Sequence, residues 1–191
     1  MGVPGEARKS LTGGVPSGPR PSFMARYAHG GAAERAAIPL PTMDSWKAFA
    51  AAEPEMAERG RALLYQRGDG EGFLATVAPN GTPRIHPLNV GVVDGRLLVF
   101  VQDFSAKARD LAANPHYALH AHQDEKQPDE FLVRGEARLV TDGAVRDAAA
   151  GQWFFTVSNG YPLYELQIAH ALLGERKADE WPPRYRSWRS R

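Results

Sequence analysis

Two dipeptides, Asn80-Gly81 and Asp94-Gly95, divide the most apolar part of this chain into short runs. They interrupt the segment 72–104, which reads GFLATVAPNGTPRIHPLNVGVVDGRLLVFVQDF. Asn-Gly and Asp-Gly favour positive φ at the tip of a two-residue hairpin, whose twist matches that of antiparallel strands. This segment is therefore predicted to form three consecutive antiparallel strands, at about 73–78, 83–93 and 96–102.

Three more strands are expected further along the chain, near 117–121, 131–141 and 163–168. Gly135 interrupts the second of these, and a glycine inside a strand indicates a bulge or the close approach of another backbone. Six antiparallel strands joined by tight hairpins favour a small barrel, because an open sheet of this size leaves unpaired edges. The fold class is therefore predicted to be mainly β, with flanking helices.

The flanking helices are expected at three places. Asp44 or Ser45 is a suitable cap for a helix that Pro54 interrupts or restarts, and Trp46 and Phe49 begin its apolar face. A short helix is expected directly after Ser105. The third helix is expected near 145–152, between the last two predicted strands.

Composition divides the chain into three parts. Residues 1–41 are rich in Gly, Pro, Ser and Arg without an apolar period, which predicts a disordered extension. Residues 42–175 carry all the predicted strands and are interpreted as one domain. Residues 176–191 end in the basic and aromatic sequence WPPRYRSWRSR. We interpret that ending as a segment that wraps around a partner subunit.

Several classes of function are excluded by composition. The chain has no cysteine, which rules out disulfides, thiolate metal sites and cysteine nucleophiles. Its formal net charge of +1 gives no strong attraction to nucleic acid or to an anionic membrane. No apolar run approaches the roughly 20 residues of a spanning helix, and no secretory signal is visible. A cytoplasmic protein that binds neither nucleic acid nor membrane is expected.

The transition from strand to helix at VFVQDFSAKARDLAANP, residues 99–115, indicates a possible anion site. Ser105 caps the predicted helix and Lys107 lies in its first turn, where free backbone N–H groups and the helix dipole attract a phosphate. A cation at that end is unfavourable for the helix itself, by about 0.3–1 kcal/mol. The alternative is that Ser105 only caps the helix while Lys107 points to water.

The strand TPRIHPLNV adds polar groups to the same region. Alternation places Arg84, His86 and Leu88 on one face, with Ile85 and Pro87 on the other. Pro87 has no amide hydrogen, which indicates an edge or a break with free backbone groups nearby. His86 is a candidate for proton transfer, although a packed or exposed histidine is the alternative interpretation.

Histidines at 116, 120 and 122 raise the question of a metal site. His120 and His122 share one face of the predicted strand, but no acidic third ligand is fixed by spacing. No metal site is therefore expected.

The order of these segments resembles the pyridoxamine 5'-phosphate oxidase-like, flavin-binding split-barrel superfamily. The resemblance covers about 45–170 and includes the S-x-K-x-x-x-L-x-x-NP segment and the V-x-G-x-A strand within DEFLVRGEARLV. It implies a six-stranded antiparallel split β-barrel and a homodimer. It also implies FMN, the deazaflavin F420 or, less often, haem in a cleft at the subunit interface.

The resemblance also implies which residues meet the cofactor. They are Arg84, Ile85, His86, Pro87, Leu88, Asn89, Phe100, Val101, Ser105, Ala106, Lys107 and Glu130. The oxidase itself has arginine at the position of Ala106 and lysine at that of Asn89, so this chain is not expected to oxidise pyridoxamine phosphate.

Two functions follow from the resemblance. The first is an FMN- or F420-dependent oxidoreductase acting on a small conjugated or heteroaromatic substrate, with Arg84, Ser105 and Lys107 on the phosphate. The second is a non-catalytic protein that binds flavin or haem for storage, sensing or protection. His120 or His122 would then supply the axial ligand of a haem.

Overall fold

The structure, a computed structural model, describes residues 43–126, 128–176 and 181–191. The extension predicted for 1–41 lies outside these residues. The described helices are α1 (Trp46–Ala52), α2 (Pro54–Leu64), α3 (Ala106–Ala113) and α4 (Gly143–Gly151). The described strands are β1 (Glu71–Val77), β2 (Pro83–Asn89), β3 (Gly91–Val93), β4 (Arg96–Phe100), β5 (His116–Ala121), β6 (Glu130–Leu139), β7 (Leu163–Glu175) and β8 (Arg184–Arg189).

The strands form one antiparallel sheet, and the strands at its two edges, β2 and β3, follow each other directly in the sequence. Its order is β2-β1-β5-β6-β7-β4-β3, with β8 paired to β7. The end strands β2 and β3 are separated by Val90 alone, so they are the two halves of the single strand predicted at 83–93. With those halves counted as one strand and β8 left aside as an addition to the edge of β7, the curled sheet has the predicted six strands.

The strand β7 is longer than predicted because it has three successive partners along one edge. Its first residues pair with β4, Ile168 bridges to Asp44, and residues 170–175 pair with β8. The sequence did not indicate β8. In this chain Arg184–Arg189 adds to the same sheet as the rest of the barrel, instead of remaining a separate C-terminal segment.

The two hairpin dipeptides form different turns. Asp94 and Gly95 have φ values of 48° and 74°, as predicted for a two-residue hairpin. At the other turn only Gly81 has positive φ, 84°, and its N–H donates to the carbonyl oxygen of Ala78. Pro79 occupies the position of a type I turn at which φ near −65° is required, so the loop has three residues and the two-residue prediction was wrong there.

Gly135 marks a bulge, as predicted. The β6–β7 register shifts between Arg134 and Gly135. A Cβ on Gly135 would lie 1.9 Å from the carbonyl oxygen of Gln167, so any side chain here would force the two strands apart. The close approach of the neighbouring backbone therefore explains the glycine.

The helices α1 and α2 cover the barrel core. The side-chain oxygen of Ser45 accepts a hydrogen bond from the N–H of Ala48, and Pro54 is the first residue of α2. Phe49 is fully buried and stacks on Phe131 of β6, with ring centroids 6.4 Å apart. Among the described helices, none has the length and apolar character needed to cross a membrane.

Candidate functional site

The candidate site lies where β2 faces α3. Burial alternates along β2, so Arg84, His86 and Leu88 are partly covered while Ile85 and Pro87 are exposed. This is the alternation that the sequence predicted. Among the described strands β2 pairs only with β1, so it is an edge strand, as Pro87 indicated.

A buried carboxylate fixes Arg84 in this site. Asp110, in α3, is fully buried, and its Oδ1 accepts a hydrogen bond of 2.8 Å from Nη1 of Arg84. Its Oδ2 accepts a hydrogen bond of 2.8 Å from the hydroxyl of Thr76 in β1. The ion pair and the second hydrogen bond offset the cost of burying the charge. The Arg84 side chain is 40% exposed, so part of its guanidinium faces outward.

His86 belongs to the same network. Its Nε2 lies 3.1 Å from Oγ1 of Thr76. The single hydroxyl hydrogen of Thr76 is already donated to Asp110, so Nε2 of His86 must carry the hydrogen and donate it. Burial, followed by the charge of Lys107, lowers the pKa of His86 below 6.5, while Asp110 opposes this shift. The imidazole is therefore neutral near pH 7 and keeps Nδ1 as a hydrogen-bond acceptor.

The first turn of α3 supplies further donors. The Oγ of Ser105 accepts a hydrogen bond of 3.2 Å from the N–H of Ala108, which confirms the predicted cap. The N–H groups of Ala106 and Lys107 have no acceptor within the helix, as at any helix beginning. Lys107 is partly buried, and its charge acts on His86. The binding of an anion by Lys107 stays a prediction, as does its alternative, a side chain that points to water.

The charges of the site do not cancel. Arg84 and Lys107 carry two positive charges against the single negative charge of Asp110, which leaves a net charge of +1. The arrangement has a positive side chain on each of two elements, β2 and α3, and the first turn of α3 adds N–H groups without a helical acceptor. Such a site suits a phosphate or another oxyanion.

Phe100 and Val101 contribute backbone and packing to this region. Both side chains are buried, with Phe100 packed edge-on against Trp153 at a centroid distance of 4.9 Å. The N–H of Val101 already donates to the carbonyl oxygen of Pro162. These two residues therefore hold the end of β4 in place before Ser105, and their contact with a cofactor stays a prediction.

The remaining candidates on β2 differ in exposure. Ile85 is 71% exposed on the outer side of the strand, and Pro87 lies beside it. Leu88 packs against the core, and Asn89 pairs with Glu71 at the beginning of β1.

Glu130 is not brought to Arg84 within one chain. Its carboxylate accepts hydrogen bonds of 3.3 Å from Tyr185 of β8 and from Gln123. It begins β6, whereas Arg84 pairs with Thr76 near the opposite end of the β1–β2 ladder.

The two histidines considered as haem ligands have separate surroundings. The Nδ1 of His120 lies 2.6 Å from the carbonyl oxygen of Ala121, so Nδ1 donates and Nε2 is the free acceptor. His122 packs on Phe73, with ring centroids 4.3 Å apart. Only His120 therefore has an orientation-fixing hydrogen bond to the backbone, the arrangement usual for histidines that bind metals.

Sequence reasoning missed Thr76 and Asp110. Asp110 follows Lys107 by three residues, so both lie on one face of α3. This spacing could have identified Asp110 as a neighbour of the predicted anion site. A carboxylate on the half of the helix that also carries Ala108 and Leu111 indicates a buried acid in need of a cation. Thr76 is the polar member of the inward series on β1 that includes Leu74.

Comparison with known proteins establishes the family. The family model for pyridoxamine 5'-phosphate oxidase matches residues 67–173, more than half of the 191 residues. This chain therefore belongs to the pyridoxamine 5'-phosphate oxidase family. The curled antiparallel sheet is the split barrel that the sequence predicted. A search of curated proteins found no match.

Solved structures show the same fold at low sequence identity. A NimC/NimA family protein from Clostridium acetobutylicum has a TM-score of 0.53 and 15% identity, covering 69% of this chain and 92% of that chain. A haem-binding protein from Mycobacterium smegmatis has a TM-score of 0.52 and 17% identity, covering 68% of this chain. The present chain spans only 57% of that haem-binding protein.

Proposed function

We propose that this chain is an oxidoreductase that holds FMN or F420, with the cofactor phosphate between Arg84 and the beginning of α3. The observation that carries the proposal is the paired placement of Arg84 and Lys107, one of them fixed by buried Asp110. A surface arginine has no need of a fully buried carboxylate. An arginine that must stay in position for a ligand gains from one.

The residues fit a phosphate group. Arg84 retains outward N–H groups, Lys107 adds a second cation, and Ala106 and Lys107 offer backbone N–H groups at a helix terminus. The site's net charge of +1 is lower than that of the oxidase itself, which has an arginine at the position of Ala106. Both FMN and F420 therefore remain candidates.

The cofactor would supply hydride transfer to a small conjugated or heteroaromatic substrate. The protein binds the cofactor and orients it toward the substrate. The neutral imidazole of His86 keeps an acceptor nitrogen at Nδ1, while Thr76 and Asp110 fix its ring through Nε2. His86 is thereby suited to accept or return a proton beside the cofactor.

The partner proposed for the chain is a second copy. Ile85 is 71% exposed and Phe73 is 39% exposed, and these apolar side chains lie on adjacent strands. Pro87 pairs with Phe73 and extends the same surface along the edge strand β2. An apolar surface at an unpaired sheet edge is typical of an interface between subunits. Burial there would place the cofactor site close to the dimer interface, as the family resemblance implies.

Replacing Ile85 by Glu is expected to convert the dimer into monomers, because a carboxylate would be buried without a partner. Light scattering after size-exclusion chromatography measures the change. Leu139→Glu is the matched control, since Leu139 is also exposed (55%) but lies at the far end of β6. Dissociation by both variants, or by neither, would argue against this surface.

The alternative function is a non-catalytic protein that binds flavin or haem. The specific observation in favour of haem is His120, whose Nε2 is a free acceptor while Nδ1 is held by the backbone. The freshly purified protein's absorption spectrum separates the possibilities. A flavin envelope or a deazaflavin band supports the proposed function. A Soret band that disappears in His120→Ala would support haem binding instead.

A further inference from the structure

A second, separate cavity lies beside the bulge of β6. It has a volume of about 230 Å³ and is lined by residues of β5, β6, β7 and β8. Four of its lining side chains carry basic nitrogen: His116, Arg134, His170 and Arg189. None of the groups placed in the cofactor site belongs to it.

The strand register explains how two arginines come to flank one histidine. His170 of β7 pairs with Arg134 of β6 on one side and with Arg189 of β8 on the other. Neighbouring strands lie about 4.8 Å apart, so the two arginine backbones are separated by roughly 10 Å. Residues paired across neighbouring strands project to the same face of the sheet, so two long guanidinium side chains at that spacing can reach one small anion between them.

These two arginines have no acidic partner in the described part of the chain. Neither Arg134 nor Arg189 has a carboxylate within 4 Å among the described residues, and Glu136 faces His116 instead, at 3.9 Å. Both arginines act on His170, whose pKa is lowered by burial and by their charges. Both arginines are exposed at the mouth of the cavity, and no carboxylate among the described residues neutralises them.

His170 also has an unsatisfied atom. Its Nδ1 is buried and lacks a hydrogen-bond partner within the described residues. Buried polar atoms are nearly always paired, so an orphan beside a cavity indicates a missing partner. An oxyanion that carries a proton, or that binds together with a water molecule, would provide it.

We propose that this cavity binds a small dianion of the phosphate type, with Arg134 and Arg189 on its oxygens and His170 at its base. Guanidinium groups pair with phosphate oxygens through two parallel hydrogen bonds, which gives such a site its selectivity. A volume near 230 Å³ admits a phosphate group with a small substituent, but not a nucleotide.

The test is calorimetric titration with inorganic phosphate at constant ionic strength, with chloride as the reference anion. It is made in the Lys107→Ala background, which removes the cofactor-phosphate site proposed above and keeps the two proposals separable. Arg134→Gln and Arg189→Gln are each expected to weaken phosphate binding at least tenfold. Arg138→Gln removes the same charge from the same strand and is expected to change it less than twofold.

A second measurement does not depend on the folding of any variant. In the unmutated protein, phosphate is expected to shift the imidazole ¹⁵N resonances of His170 and to leave those of His122 in place. Absence of binding in the Lys107→Ala protein would overturn the proposal, as would an equal loss in Arg138→Gln. Dissociation of the dimer by Arg134→Gln would also overturn it, because these arginines would then pair with a partner's carboxylates.

Discussion

Replacing Asp110 by Ala is expected to lower the free energy of unfolding by about 3 kcal/mol. Removal of one partner of a buried ion pair costs about 3–5 kcal/mol, because the other charge is left uncompensated. The lower end applies here, since the Arg84 side chain is 40% exposed and water reaches part of its guanidinium. The hydroxyl of Thr76 also loses its acceptor. Urea denaturation of the apoprotein measures the change.

The control for this effect is Asp147→Ala. Asp147 is an exposed carboxylate inside α4, so the same substitution is expected to change stability by less than about 0.5 kcal/mol. The double variant Arg84→Met with Asp110→Leu separates charge from packing, because it removes both charges together. It is expected to recover part of the lost stability. If Asp110→Ala were as mild as Asp147→Ala, the network assigned to Asp110 would not exist.

Replacing Lys107 by Ala is expected to weaken cofactor binding by about 10- to 100-fold. A hydrogen bond to a charged group contributes about 1.5–3 kcal/mol net, and 1.4 kcal/mol corresponds to a factor of ten. Stability should change little, because a cation in the first turn of α3 is unfavourable to the helix dipole. Cofactor dissociation constants are measured by fluorescence titration of the apoprotein.

Arg109→Ala is the matched variant for Lys107. It also removes a positive charge from α3, but Arg109 is exposed and donates to the carbonyl oxygen of Phe104. Its loss is expected to change cofactor affinity less than threefold. Equal weakening by the two substitutions would mean that only the overall charge of the helix matters, and the assignment of Lys107 to the phosphate would fail.

Much of the barrel could be predicted because its determinants are local. The two-residue turn at Asp94-Gly95 requires positive φ at both residues, which this dipeptide tolerates. Gly135 marks the bulge, where the carbonyl oxygen of Gln167 leaves no room for a side chain. The predictions failed where a distant segment or a neighbouring residue intervened. Pro79 changed the turn at Asn80-Gly81, and β8 formed because the edge of β7 beyond Ile168 was available.

Only part of the candidate site could be predicted from the sequence. The alternation on β2 placed Arg84 and His86 together, and the cap at Ser105 was a local pattern. Asp110 and Thr76 were missed because their importance arises from contacts of α3 with β1 and β2, in which Asp110 meets residues 34 and 26 positions earlier in the chain. Glu130 has no contact with the site in one chain, so its predicted role depends on a second copy.

The most direct test of the central claim compares FMN with riboflavin, which differ only in the phosphate. The same comparison for F420 uses its phosphate-free precursor. If Arg84, Ser105 and Lys107 hold the phosphate, the phosphorylated form of one cofactor should bind at least 100-fold more tightly, and Lys107→Ala should reduce that ratio at least tenfold. Equal affinity for the two forms of both cofactors would contradict the account.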